Sequence, residues 1–193
     1  MTILILGLLL FFLGVHSVRM VADGWRARQI TRLGGNLWKG AYSLLSVLGL
    51  GLIIWGYGLS RAQPVVLWEP DLGMRHLTAL LTMLAFILLA ATYVPGSRLK
   101  AAVGHPMMLG VSIWALAHLL SNGSLTDVLL FGAFLIWSVL GFRAARRRDR
   151  AAGVVYRAGT LAGDAKVVVV GLLAWGLFAE FLHGWLIGVK PFG

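Results

Sequence analysis

The chain has 193 residues, of which 59% are hydrophobic and 12% charged. A soluble domain would carry about twice that share of charge, so composition excludes a water-soluble globule and points to an integral membrane protein. The absence of cysteine excludes disulfides, iron–sulfur clusters, thiolate ligands and covalent haem attachment through C-x-x-C-H. The formal net charge of +10 does not signal nucleic acid, which needs a folded basic face. The basic residues lie between apolar segments, where they meet lipid headgroups or set topology.

A spanning helix needs about 20 mostly apolar residues. The first segment, Thr2 to Val21, has no basic stretch before it, so it reads as a retained helix rather than a cleaved signal. The second runs from Trp38 to Leu59. "RAQPVVLWEPDLG" (Arg61 to Gly73) follows as an interfacial loop with two prolines, a tryptophan and two acids. The third span, about Met74 to Tyr93, ends before Pro95 because a residue preceding proline leaves helical geometry. The fourth, Pro106 to Leu120, starts with proline in its first turn and is short. "SNGS" turns it into the fifth, about Ser124 to Ala145. The sixth is about Lys166 to Val189. The fold expected is all-α: one domain, a six-helix membrane bundle.

Charge orients it. Fourteen of the 17 Lys and Arg fall at or between the ends of helices one and two, three and four, and five and six. Arg61, Arg75 and Lys190 fall on the other side. Cytoplasmic loops are the basic ones, so both termini are expected on the non-cytoplasmic side of a bacterial inner membrane. "FRAARRRDR" is then a cytoplasmic anchor, or a docking site for lipid or protein.

Ionisable residues inside spans are costly and mark pathways or cofactors. All five histidines, His16, His76, His105, His118 and His183, lie in or at the ends of predicted spans, as does Glu180. Each histidine alone can simply bond a neighbouring helix. Five together point to a ligand role, since neutral imidazole is the commonest metal ligand. A di-iron carboxylate site needs two Glu-x-x-His pairs; the chain has one, Glu180 with His183. Four-histidine zinc is unusual. Haem needs only one or two imidazoles and an apolar slot, and without cysteine it would be non-covalent haem b.

Spacing adds detail. Arg19 shares a face with His16 and is either a propionate partner or a topology charge. Trp114 and Ala115 lie one turn before His118, and the small Ala115 leaves room for a flat macrocycle. Glu180 can orient His183 as an outer-shell acceptor or carry a proton. Trp25, Trp38, Trp55, Trp68 and Trp185 read as interface anchors, and Gly184 with Gly188 as a G-x-x-x-G packing motif.

The stretches "LILGLLLFFLGVHSVRM", "VLWEP", "VGHPMMLGVSIWALAHLLSNG", "LLFGAFLIWSVLG" and "FLHGWLIGVKPF" resemble the NnrU family of bacterial membrane proteins over almost the whole chain. The resemblance implies a link to nitrite and nitric oxide metabolism in denitrifiers. The chain is also similar to the plant 15-cis-zeta-carotene isomerase, a haem b membrane enzyme. By that similarity, His16 in "VHSVRM" and His118 in "WALAH" are the axial ligands, and His105 in "GHPM" matches a further histidine. Ala115 stands where the isomerase has cysteine, so an exchange of thiolate for imidazole at iron cannot occur here.

Depth groups the histidines differently. At about 1.5 Å of rise per residue, His16 and His118 differ in depth by roughly 10–15 Å. His16 then groups with His105, and His118 with His183 and His76. The expected lead pair remains His16 and His118, with His105, His183 and His76 in reserve. Glu180 and His105 are the candidate catalytic groups. The expected function is haem-based redox or nitric-oxide-linked chemistry, or isomerisation of an apolar polyene entering from the bilayer, with a redox partner where electrons are needed. The alternative is a non-catalytic accessory protein or transporter whose His and Glu residues form a proton-carrying network.

Overall fold

The computed structural model describes residues 1–192, those at 10–12 through their backbone alone. Eight helices are introduced in chain order: α1 (Thr2–Val21), α2 (Asp23–Leu33), α3 (Gly35–Ser60), α4 (Leu72–Tyr93), α5 (Arg98–Val103), α6 (Pro106–Ser121), α7 (Leu125–Ala151) and α8 (Leu161–Ile187). Among the described residues there is no strand, only two isolated bridges. Five helices, α1, α3, α4, α7 and α8, are long and apolar enough to cross a membrane. The sixth expected span, α6, has 16 residues, or about 24 Å against a hydrocarbon core of about 30 Å.

Local chemistry sets the helix starts. Asp71 caps α4 by accepting from Met74 N at 2.9 Å. Pro106 occupies the first turn of α6, where its missing N–H costs nothing. Ser124 and Asp127 form a reciprocal capping box on α7, and Thr160 caps α8 through Gly163 N.

Side by side, the long helices follow the order α3, α1, α7, α6, α4, α8. Leu4, Leu8, Ile53, Ala115, Leu130 and Phe131 form one buried core where α1, α3, α6 and α7 meet. Ala90, Ala91 and Val167 form a second between α4 and α8. Small residues permit these approaches, as packing rather than water exclusion holds membrane helices together. A Cβ on Gly171 would lie 2.6 Å from Ile87 Cα on α4.

At one end gather α2, α5, the arginine-rich tail of α7 and the 152–160 loop. Thr160 N donates to Gly96 O there at 2.8 Å. At the other end, Leu67 N donates to Gly123 O at 2.8 Å and Leu125 N to Val65 O at 2.9 Å, pinning the long loop to the α6–α7 turn. Arg61 Nη1 donates to Ile187 O at 2.7 Å, joining the ends of α3 and α8.

The structure corrects several expectations. The polar connections contain helices, α2 and α5. The helix α3 starts at Gly35, α7 runs on to Ala151, and α8 starts at Leu161. Two π-helical segments, Leu6–Phe12 and Phe178–Leu182, interrupt α1 and α8. Gly184 and Gly188 are not a packing motif. Gly188 adopts φ 77 and ends α8, a conformation that favours glycine. The nearest atom to a Cβ at Gly184 belongs to Lys190 of the following tail, not to another helix.

Candidate functional site

At the end opposite the basic one, α4, α6, α8 and the tail after Gly188 enclose a cleft of about 340 Å³. His118 reaches it from α6 and His183 from α8. Its walls are aromatic: Phe86, Trp114, Trp175 and Phe178, with Phe192 of the tail across the mouth. Phe86 and Phe178 rings lie 5.6 Å apart, and Trp175 meets Phe192 edge-on at 5.8 Å. Arg75 and Lys190 are the only Lys, Arg, Asp or Glu on the described lining, which therefore holds no acid.

Both imidazoles are held the same way. His118 Nδ1 lies 2.9 Å from Trp114 O, and His183 Nδ1 lies 2.6 Å from Val189 O. A carbonyl only accepts, so each Nδ1 carries the hydrogen, and it is the Nε2 of each ring that can offer a lone pair to a ligand. The His118 ring also rests on Phe131, centroids 4.7 Å apart. Asn122 Nδ2 donates to His118 O at 2.8 Å, and Trp175 Nε1 to Thr82 Oγ1 at 3.1 Å. The π-helical turn at Phe178–Leu182 sits directly before His183; such turns shift the side chains that follow and recur at functional sites.

The other expected residues are placed as follows. Trp114 lines the cleft with His118. Ala115 is fully buried in the core with Leu130 and Phe131, outside the lining. His16 is not on the lining either; its ring lies 5.1 Å from Tyr42 and 6.1 Å from Trp137. It therefore meets α7 at residue 137, whereas His118 meets it at residue 131, about 9 Å away along the axis. Arg19 is exposed near the basic end, its carbonyl 3.5 Å from Arg148 Nη1. His76 is exposed on α4. Glu180 is exposed and off the lining, so the carbonyl of Val189, rather than this carboxylate, orients His183.

His105 belongs to a separate cluster at the basic end. Its Nε2 lies 2.5 Å from Asp149 Oδ2, and Tyr156 OH donates to the same oxygen. Arg146 stands over the Tyr156 ring. Burial, then the hydrogen bond to Asp149, raises the Tyr156 phenol above its ordinary 10.0. The raised value belongs to the folded state, so this contact supports the 152–160 loop fully below the ordinary phenol range. It is lost as pH rises through the elevated native value. Tyr156→Phe should make Arg157 several-fold more sensitive to trypsin at neutral pH. Unchanged cleavage would show that the loop is held by other contacts.

Sequence reasoning noted Arg75 only as an ionisable residue near a helix end, and missed Lys190, Trp175, Asn122 and the tail as cleft residues. It also missed Asp127, which is 8% exposed and accepts from Tyr57 OH at 2.7 Å. Among the described residues, no three His, Cys, Asp or Glu converge as ligands for a metal ion.

No curated protein and no solved structure matches the chain. Residues 3–191, nearly the whole length, match the family described as NnrU protein. With its multi-helical apolar architecture and the family's pattern running from α1 into the tail, the chain belongs to the NnrU family.

Proposed function

We propose that the protein is a multi-pass membrane protein that binds haem b in the α4–α6–α8 cleft, where His118 and His183 would hold its iron. The supporting observation is the matched pair of imidazoles on one cleft, each with Nδ1 tied to a carbonyl and Nε2 left as a donor. This donor set suits haem better than a bare ion. A porphyrin brings four nitrogens and asks the protein for one or two, whereas an isolated zinc needs three or four protein ligands.

The other residues have matching tasks. Trp114, Trp175, Phe86 and Phe178 supply flat apolar walls. Arg75 and Lys190 offer charge to propionates. The carbonyls of Trp114 and Val189 fix the tautomers. With the basic end cytoplasmic, the cleft lies towards the opposite face, and α6 makes a sixth crossing helped by the loop and turn packed at its end. Bound haem would supply an iron for redox or nitric-oxide-linked chemistry, or for cis–trans isomerisation of an apolar polyene.

The test is spectroscopic. Protein expressed with ample haem and purified in detergent should show a Soret band that shifts on reduction, with the split visible bands of a six-coordinate low-spin haem. A colourless preparation would overturn the proposal and favour a non-catalytic accessory role.

A further inference from the structure

A second concavity shares no lining residue with the histidine cleft. It is a groove of about 1010 Å³ between α1 and α7 that runs from Val128 to Arg150 at the basic end of the molecule. Leu9 and Leu13 form one wall, and Ile136 and Leu140 the other. No Asp or Glu lines the described groove. Arg143, Arg147 and Arg150 line its upper end, spaced so that they share one face of α7. These three are exposed, and among the described residues none of their guanidinium groups has a hydrogen-bond or ion-pair partner. The nearby acid, Asp149, is already engaged by His105 and Tyr156.

We propose that this groove is a binding site for an anionic phospholipid, with an acyl chain along the α1–α7 seam and the phosphate on Arg143, Arg147 and Arg150. The dimensions fit. The apolar stretch from Val128 to Leu140 is about 18 Å long, close to the depth of one leaflet of a hydrocarbon core about 30 Å thick. Charge complementarity selects the occupant. An uncharged apolar chain would leave three arginines without a counter-ion. A second copy docked groove to groove is disfavoured for the same reason. Copies inserted in the same sense would bring two arginine triads level with each other. A basic groove between spanning helices is a site that acidic headgroups recognise.

Native mass spectrometry of the full chain, released from detergent with phosphatidylglycerol or phosphatidylcholine added, tests this. Wild type should retain phosphatidylglycerol on the order of tenfold more than phosphatidylcholine. The triple variant Arg143→Gln, Arg147→Gln, Arg150→Gln should bring the two lipids to parity, whereas the corresponding lysine variant should keep the preference. Gly132 lines the groove, and among the described residues no atom lies within 4 Å of a Cβ placed there. Gly132→Phe should therefore occupy the chain slot without disturbing the fold, and lower retention of both lipids. Arg26→Gln, Arg28→Gln, Arg32→Gln removes equal charge from α2 and should change nothing.

Equal loss in the α2 variant would show diffuse attraction and overturn the proposal. Full phosphatidylglycerol retention in Gly132→Phe would remove the lipid from the groove. A dimer abolished by Gly132→Phe would give the groove to a second copy instead.

Discussion

His118→Ala and His183→Ala each lower the haem content of the purified protein by more than about tenfold, or leave a five-coordinate high-spin spectrum; the double variant is colourless. Both residues sit on one cleft, and each ring is fixed by a carbonyl that leaves Nε2 as the donor. Outer-shell contacts of this kind are themselves worth about 10–100-fold in metal affinity, so removing the ligand should cost at least as much. His16→Ala leaves the spectrum as in wild type, because its ring packs against Tyr42 and Trp137, away from the cleft. Haem quantified as the pyridine haemochrome, together with the visible spectrum, decides the matter. Loss in His16→Ala and His118→Ala with an unaltered His183→Ala would assign the iron to the pair implied by family resemblance.

Gly171→Leu should lower the unfolding temperature by roughly 3–10 °C. A Cβ at this position would lie 2.6 Å from Ile87 Cα and 2.9 Å from its Cγ1. The first contact is backbone, so no rotamer change relieves it, and α4 and α8 must separate. Overpacking of this kind costs about 1–3 kcal/mol, which gives the stated range for a chain of this size. The same two helices carry Thr82 and Trp175, joined across the cleft wall, so haem content should fall with stability. Gly176→Leu is the control on the same helix, since a Cβ there meets no atom of the described residues within 4 Å. Thermal unfolding in detergent followed by circular dichroism measures both. Leu has the higher helix propensity, so equal destabilisation by the two variants would mean that the added bulk on α8, not the close approach to Ile87, sets the effect.

Much of the architecture was legible because membrane spans are specified by length and composition, which the sequence states outright. The short helices were not. "DGWRARQITRL" and "RLKAAV" read as charged connections, and since neither helix buries a residue, no apolar face in the sequence announced them. Gly188 shows a different difficulty. The same residue type serves close packing and left-handed termination, and spacing alone chose the wrong use. For the histidines, counting helical rise placed His118 with His183 and His76; the cleft lining takes in the first two, and His76 lies exposed on α4 outside it. The signal for the remaining cleft residues lay in the charge asymmetry. Only Arg61, Arg75 and Lys190 stand on the side where few cations are expected. Two of them line the cleft, and the third ties α3 to the end of α8.

The carbonyl that steadies His183 comes from Val189, six positions later, beyond the bend at Gly188. One jaw of the cleft is therefore only as firm as the segment that closes over it. Ordering that segment is an entropic charge on whatever enters, and occupancy returns the cost as local rigidity. Amide exchange should slow from Gly188 to Phe192 on loading, while the α1–α3 seam at the far end of the row keeps its rate.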